Sequence, residues 1–192
     1  MNTPSLSSNP ALLDEGSQHA KLPAMQRRTF FKLGIASSVV LALVGGTAAT
    51  IKPGFDRGSL TAVGQKVFRA VALAVLDKTL PEEAVEKNAA LDRLLSDIDA
   101  LVSALPSHAQ TEVSQLLSIL STTAGRYGLA GLKTPWTTAS AAEVQAALQD
   151  MRISTLAVRQ QAYAALHDIT ASAYFSRPGN WALLGYPGPS KL

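Results

Sequence analysis

Cysteine is absent from all 192 residues. That excludes a Cys-attached haem, an iron–sulfur cluster, a catalytic thiol and any disulfide within this chain. A fold built from it rests on its hydrophobic core. Charge is also sparse, at 16% Asp, Glu, Lys and Arg. From position 50 onward the chain carries 13 Lys and Arg against 12 Asp and Glu. The basic excess therefore belongs to the first 49 residues, and the pI near 9.3 is no argument for nucleic-acid binding. No basic cluster interleaved with aromatics occurs in 50–192 either, and no nucleic-acid partner is expected.

Strongly apolar runs are few, and the one near the N-terminus is diluted by Gly34, Ser37, Ser38, Gly45 and Gly46. A secure spanning helix needs about 20 predominantly apolar residues. This weaker run follows Arg27-Arg28-Thr29-Phe30-Phe31-Lys32-Leu33. Paired arginines, two aromatics and a lysine before a moderately apolar stretch look like a twin-arginine export signal over 25–49. That route moves folded proteins across the bacterial inner membrane, which places the mature chain in the periplasm. Thr47-Ala48-Ala49 offers signal peptidase a small-residue site, with cleavage after Ala48 or Ala49; left uncut, the segment is an inner-membrane anchor. Residues 1–24, rich in Pro, Ser and Asn without apolar periodicity, read as a disordered leader.

About 140 residues follow the signal, enough for one domain with a real core and not for two. Pro53, Gly54 and Gly58 make 50–58 a linker. Ser59 suits an N-cap, and Val63, Val67, Phe68, Val71, Ala74 and Val75 then share one helical face. Pro81 closes that helix or opens the next, where Glu82 and Glu83 suit an N-terminus. Leu91, Leu94, Leu95, Ile98, Leu101, Val102 and Leu105 form the clearest stripe. Pro106 ends it, and Ser107 with Gln110 has capping-box spacing ahead of Val113, Leu116, Leu117 and Leu120. Gly125, Gly128 and Gly131 predict a loop reaching Trp136. Ser140 and Glu143 repeat the capping-box pattern, and the helical region that follows is either continuous or interrupted near Met151. A last face, Leu156, Tyr163, Leu166 and Ile169, runs to about Phe175, where Pro178 and Gly179 stop it. No segment alternates with period two. The expectation is an all-α domain over 59–178, a compact bundle of about five helices behind the signal helix, with an irregular aromatic and Pro-Gly tail over 179–192.

Catalytic patterns are scarce. His108 and His167 have no second ligand at metal spacing, and His167-Asp168 are neighbours expected to point apart. Asp77, Glu82, Glu83 and Glu86 bracket Pro81 without a calcium-loop pattern, and helix-start solvation accounts for them. Gly125-Arg126-Tyr127-Gly128 lacks the preceding strand and the spacing of a phosphate loop. No catalytic, metal or cofactor residue is therefore assigned, and an enzyme built on Asp77, Glu82 or His167 ranks last. The tail is different. Trp181, Tyr186, Pro187, Gly188 and Pro189 combine large contact area with Pro-stiffened backbone, which suits either docking to a partner or packing back on the chain's own helices.

Phe68-Arg69-Ala70-Val71-Ala72-Leu73-Ala74-Val75-Leu76 leading to Leu80-Pro81, Met151-Arg152-Ile153-Ser154, the Arg159–Leu166 stretch and the closing Gly185-Tyr186-Pro187-Gly188-Pro189 resemble gluconate 2-dehydrogenase subunit 3. The resemblance spans approximately residues 60–190, and none of its motifs is catalytic. It implies a small subunit that accompanies a large FAD-dependent flavoprotein of the glucose-methanol-choline class, often with a c-type cytochrome subunit. It further implies that the large subunit lacks its own export signal and crosses the membrane with this chain. The long leader before Arg27 departs from that pattern and leaves the substrate subfamily open. The alternative is a free periplasmic helical protein that binds a small ligand or acts as a chaperone.

Overall fold

Helix α1 (Ala62–Val75) is apolar on nearly every side, and this decides its place. In the computed structural model, which describes residues 52–186, α1 is the central element. Val67, Val71 and Ala72 are wholly buried and Phe68 nearly so. Around it stand α2 (Ala84–Ser103), α3 (Ser107–Ser121), α4 (Ala141–Arg152) and α5 (Ala157–Phe175), all four of which touch it. The described residues are thus mostly helical, as the apolar periodicities predict.

The outer helices bury one face each, but on α5 it is not the face expected: Leu156 is exposed ahead of the helix, Tyr163 and Ile169 are half-buried, and of those four only Leu166 is fully buried. Leu91, Leu94, Leu95, Ile98 and Val102 line the inner face of α2 at steps of three, one and four. Glu83 caps this helix, accepting from the Val85 and Glu86 backbone N–H groups at 2.8 and 2.9 Å. On α5 the buried positions are Ala162, Leu166, Thr170, Ala173 and Tyr174. Thr170 is buried without cost in unmet hydrogen bonds because its hydroxyl donates to the Leu166 carbonyl at 2.7 Å. The Tyr174 hydroxyl donates to the Thr79 carbonyl at 2.8 Å and ties the end of α5 to the loop after α1. Among the described residues no buried side-chain nitrogen or oxygen lacks a partner.

Four local expectations need correction. The first concerns the linker over 50–58. Its described part is bound into the domain: β1 (Phe55–Asp56) pairs antiparallel with β2 (Ser59–Leu60), and Phe55 and Leu60 are buried. Arg57 (φ 49°) and Gly58 (φ 81°) form the two-residue turn, whose positive φ values match a right-handed strand twist. Ser114 of α3 accepts the Phe55 N–H and donates to the Phe55 carbonyl, and Asp99 of α2 accepts the Leu60 N–H at 2.6 Å. Ser59 therefore lies in a strand, and Thr61 takes the N-cap position, with its hydroxyl donating to the Pro53 carbonyl at 2.6 Å instead of capping the helix.

Second, Ser107 and Gln110 form no capping box. Pro106 is the N-cap, and the Gln110 amide donates to the Ser103 and Leu105 carbonyls, closing the end of α2. Third, the loop expected from Gly125 onward begins only at Gly131, from where it does run past Trp136. Thr122 caps a single turn, Thr123–Gly125, which continues as a π-helix over Arg126–Ala130. Gly131, at φ 72°, ends it in a left-handed conformation that only glycine adopts readily. Fourth, Pro178–Leu184 is a 3₁₀-helix, so the tail is helical for its first part. Ser140 and Glu143 form the expected capping box, and the choice left open near Met151 is resolved: the chain is interrupted after Arg152 before α5 begins at Ala157.

Candidate functional site

The end of α5 leaves carbonyls without intrahelical donors, and the residues that follow supply them. The Asn180 amide donates to the Tyr174 carbonyl at 2.6 Å, and the Trp181 indole N–H donates to the Phe175 carbonyl at 2.8 Å. Pro178 stands in the first turn of the 3₁₀-helix, where its missing N–H costs nothing. Arg177, just before it, grips Asp97 of α2 through two nitrogens, one of them at 2.7 Å. Hydrogen bonding to that carboxylate, and then its charge, raise the Arg177 pKa above the ordinary guanidinium value. Gly185 closes the turn at φ 70°, which returns the chain so that the Tyr186 N–H donates to the Trp181 carbonyl at 3.1 Å.

The result is a platform. The Trp181 and Tyr186 rings lie 5.5 Å apart at 57°. Trp181 is half-buried against its own helix, whereas Tyr186 and Leu183 keep 49% and 53% of their surfaces in solvent. Trp181 and Tyr186, both named as contact residues from sequence, are thus brought together with different burial. Pro187, Gly188 and Pro189 lie outside the described residues, as do Arg27, Arg28, Phe30, Phe31 and Lys32 of the export signal and Ala48 and Ala49 of the cleavage site. No helix among the described residues is long and apolar enough to cross a membrane.

The remaining sequence candidates have structural surroundings. Glu83 is a cap, as described above, and among the described residues no three His, Cys, Asp or Glu side chains gather at metal-binding distance. His167 and Asp168 do not point apart: Nδ1 and the carboxylate stand 2.9 Å from each other. The imidazole stacks on Tyr163, one turn earlier, at 5.4 Å, and this orientation brings Nδ1 within reach of its neighbour. Both groups are exposed, on the outer side of α5.

Sequence reasoning missed a second feature. A cleft of about 180 Å³ opens beside α1, lined by Val63, Lys66, Ser121, Arg126, Pro135, Trp136 and Thr137. Trp136 is held by its indole N–H, which donates to the Leu120 carbonyl at 2.7 Å. Arg126 begins the π-helix, and its guanidinium donates to the Leu132 and Lys133 carbonyls at 3.3 and 3.4 Å. Lys66 and Arg126 lie sixty positions apart on separate elements, so no spacing rule joins them. The only clue available in the sequence was an arginine among glycines.

No family model, characterised protein or solved structure matches the chain. Its function is therefore argued from its own residues.

Proposed function

We propose that this chain is the non-catalytic small subunit of a periplasmic dehydrogenase complex, and that it escorts a large FAD-dependent flavoprotein of the glucose-methanol-choline class through export and maturation. Arg27, Arg28, Phe30, Phe31 and Lys32 address the pair to the twin-arginine translocase. The flavin stays on the partner, and a c-type cytochrome subunit completes electron transfer. A folded-protein route suits this role, because a flavoprotein takes up its cofactor before it crosses.

The observation that carries the reading is the aromatic platform. A helix end that needed only closure is served by Asn180 and the Trp181 indole. Leu183 and Tyr186 are not needed for that closure and remain half in solvent, and in sequence Pro187-Gly188-Pro189 follows them. Half-exposed tyrosine and leucine on a stiff turn suit an interface core, where rigid apolar surface gains most from losing water.

The test is co-expression with a flavoprotein of the glucose-methanol-choline class from the same host. Changing Arg27→Lys and Arg28→Lys together is expected to stop the flavoprotein from appearing in the periplasm. Export unchanged by that pair of substitutions overturns the escort role.

A further inference from the structure

We infer that the cleft between α1 and the Pro135–Thr137 segment binds a small carboxylic acid with an apolar body. Its polar side carries two cations, Lys66 and Arg126, and no carboxylate among the described residues lines it. Neither cation makes an ion pair among the described residues. Bonds from two of its nitrogens to the Leu132 and Lys133 carbonyls fix the Arg126 guanidinium, so little side-chain freedom is lost when an anion arrives. Val63, Pro135 and the Trp136 ring form the apolar side. That half of the wall has nothing to offer inorganic phosphate, but packs well against an aliphatic or aromatic body.

A second observation points to the same place. The backbone at Arg126–Ala130 is π-helical, a rare geometry that concentrates at functional sites and is held here by the Gly131 left-handed turn. The inference is independent of the escort role, because neither cation belongs to the Trp181–Tyr186 platform.

The chain has two tryptophans, which makes the test direct. In the ¹⁵N-labelled full-length protein the two indole N–H resonances are assigned with a Trp181→Phe variant. Benzoate is then titrated against benzamide, its neutral isostere, and against inorganic phosphate. The expected result is a saturable shift of the Trp136 resonance with benzoate, none of the Trp181 resonance, and weaker or no response to the other two probes. Lys66 is exposed, so Lys66→Met keeps the fold; it is expected to raise the apparent Kd for benzoate about tenfold or more, with recovery in Lys66→Arg. Added salt weakens binding in the same direction. Absence of a saturable shift, equal response to benzamide, tighter binding of phosphate than of benzoate, or an unchanged Kd in Lys66→Met overturns the inference.

Discussion

Gly64→Ala is the perturbation whose sign most sharply separates this fold from a generic helical bundle. Gly64 lies within α1, where alanine is intrinsically the better helix former by about 1 kcal/mol. Propensity alone therefore predicts stabilisation. In the structure a Cβ at position 64 overlaps the Gly54 carbonyl, a backbone atom that cannot rotate away, and presses on Leu60 at 3.1 Å. Relief requires the hairpin to lift. Lifting it strains or breaks the Thr61 N–H to Gly54 carbonyl bond (3.1 Å), the Gly54 N–H to Ser114 carbonyl bond (3.3 Å) and the Thr61 hydroxyl to Pro53 carbonyl bond. Three such bonds contribute about 1 kcal/mol each. Partial exposure of Phe55 adds about 1 kcal/mol more. Subtracting the propensity gain leaves a loss of about 3 kcal/mol, or a melting temperature roughly 10 °C lower for a domain of this size. Thermal and urea unfolding by circular dichroism measure it. Gly128→Ala is the control: it too is helical, but a Cβ there meets nothing within 4 Å, so a gain of up to about 1 kcal/mol is expected. A Gly64→Ala protein as stable as the parent would refute the packing of the hairpin against α1.

Three further outcomes follow from the site and its supports. Tyr186→Ala is expected to leave the melting temperature within about 2 °C while weakening capture of the flavoprotein, because its ring is half exposed; Trp181→Ala, which also removes the bond to the Phe175 carbonyl, lowers both. Asp97→Asn frees Arg177, and hydrogen exchange across 178–186 is expected to accelerate with little change in global unfolding. Hydrogen bonds from the Thr134 hydroxyl, then from the Ser140 backbone and hydroxyl, hold the Glu143 carboxyl below its ordinary pKa of 4.5. A depressed carboxylate adds stability that is fully present above the ordinary value and is lost as pH falls through the lowered one. Glu143→Gln is accordingly expected to flatten that part of the stability–pH curve, read by thermal unfolding between roughly pH 5 and pH 2.

The parts of this fold that sequence could show are those where one face must be buried along several turns. The leucines of α2 and the apolar run of α1 repeat often enough to fix helix and face together. Ser140 with Glu143 was readable because a capping box is a local bond pattern. The same spacing at Ser107 and Gln110 failed since the Gln110 amide finds carbonyls at the end of the preceding helix. Two-residue strands cannot display a period of two, which hid β1 and β2 behind their proline and glycines. The π-helix was hidden for a related reason: Gly128 weakens local propensity, and what holds the segment is tertiary, the buried Ala130, the Gly131 turn and the Arg159 guanidinium donating to the Leu129 carbonyl at 2.9 Å. At the candidate site, the aromatic residues were visible, but their unequal burial depends on which of them reaches back to the α5 carbonyls.

The central claim, escort of a flavoprotein, is tested most directly by purifying the tagged full-length chain from its native host and measuring the partner and its flavin. Mass spectrometry and visible absorbance together are expected to show one flavoprotein of the glucose-methanol-choline class, with FAD, in near-stoichiometric amount, and much less of both from the Tyr186→Ala strain. Recovery of the chain alone from intact and solubilised membranes alike would contradict the account.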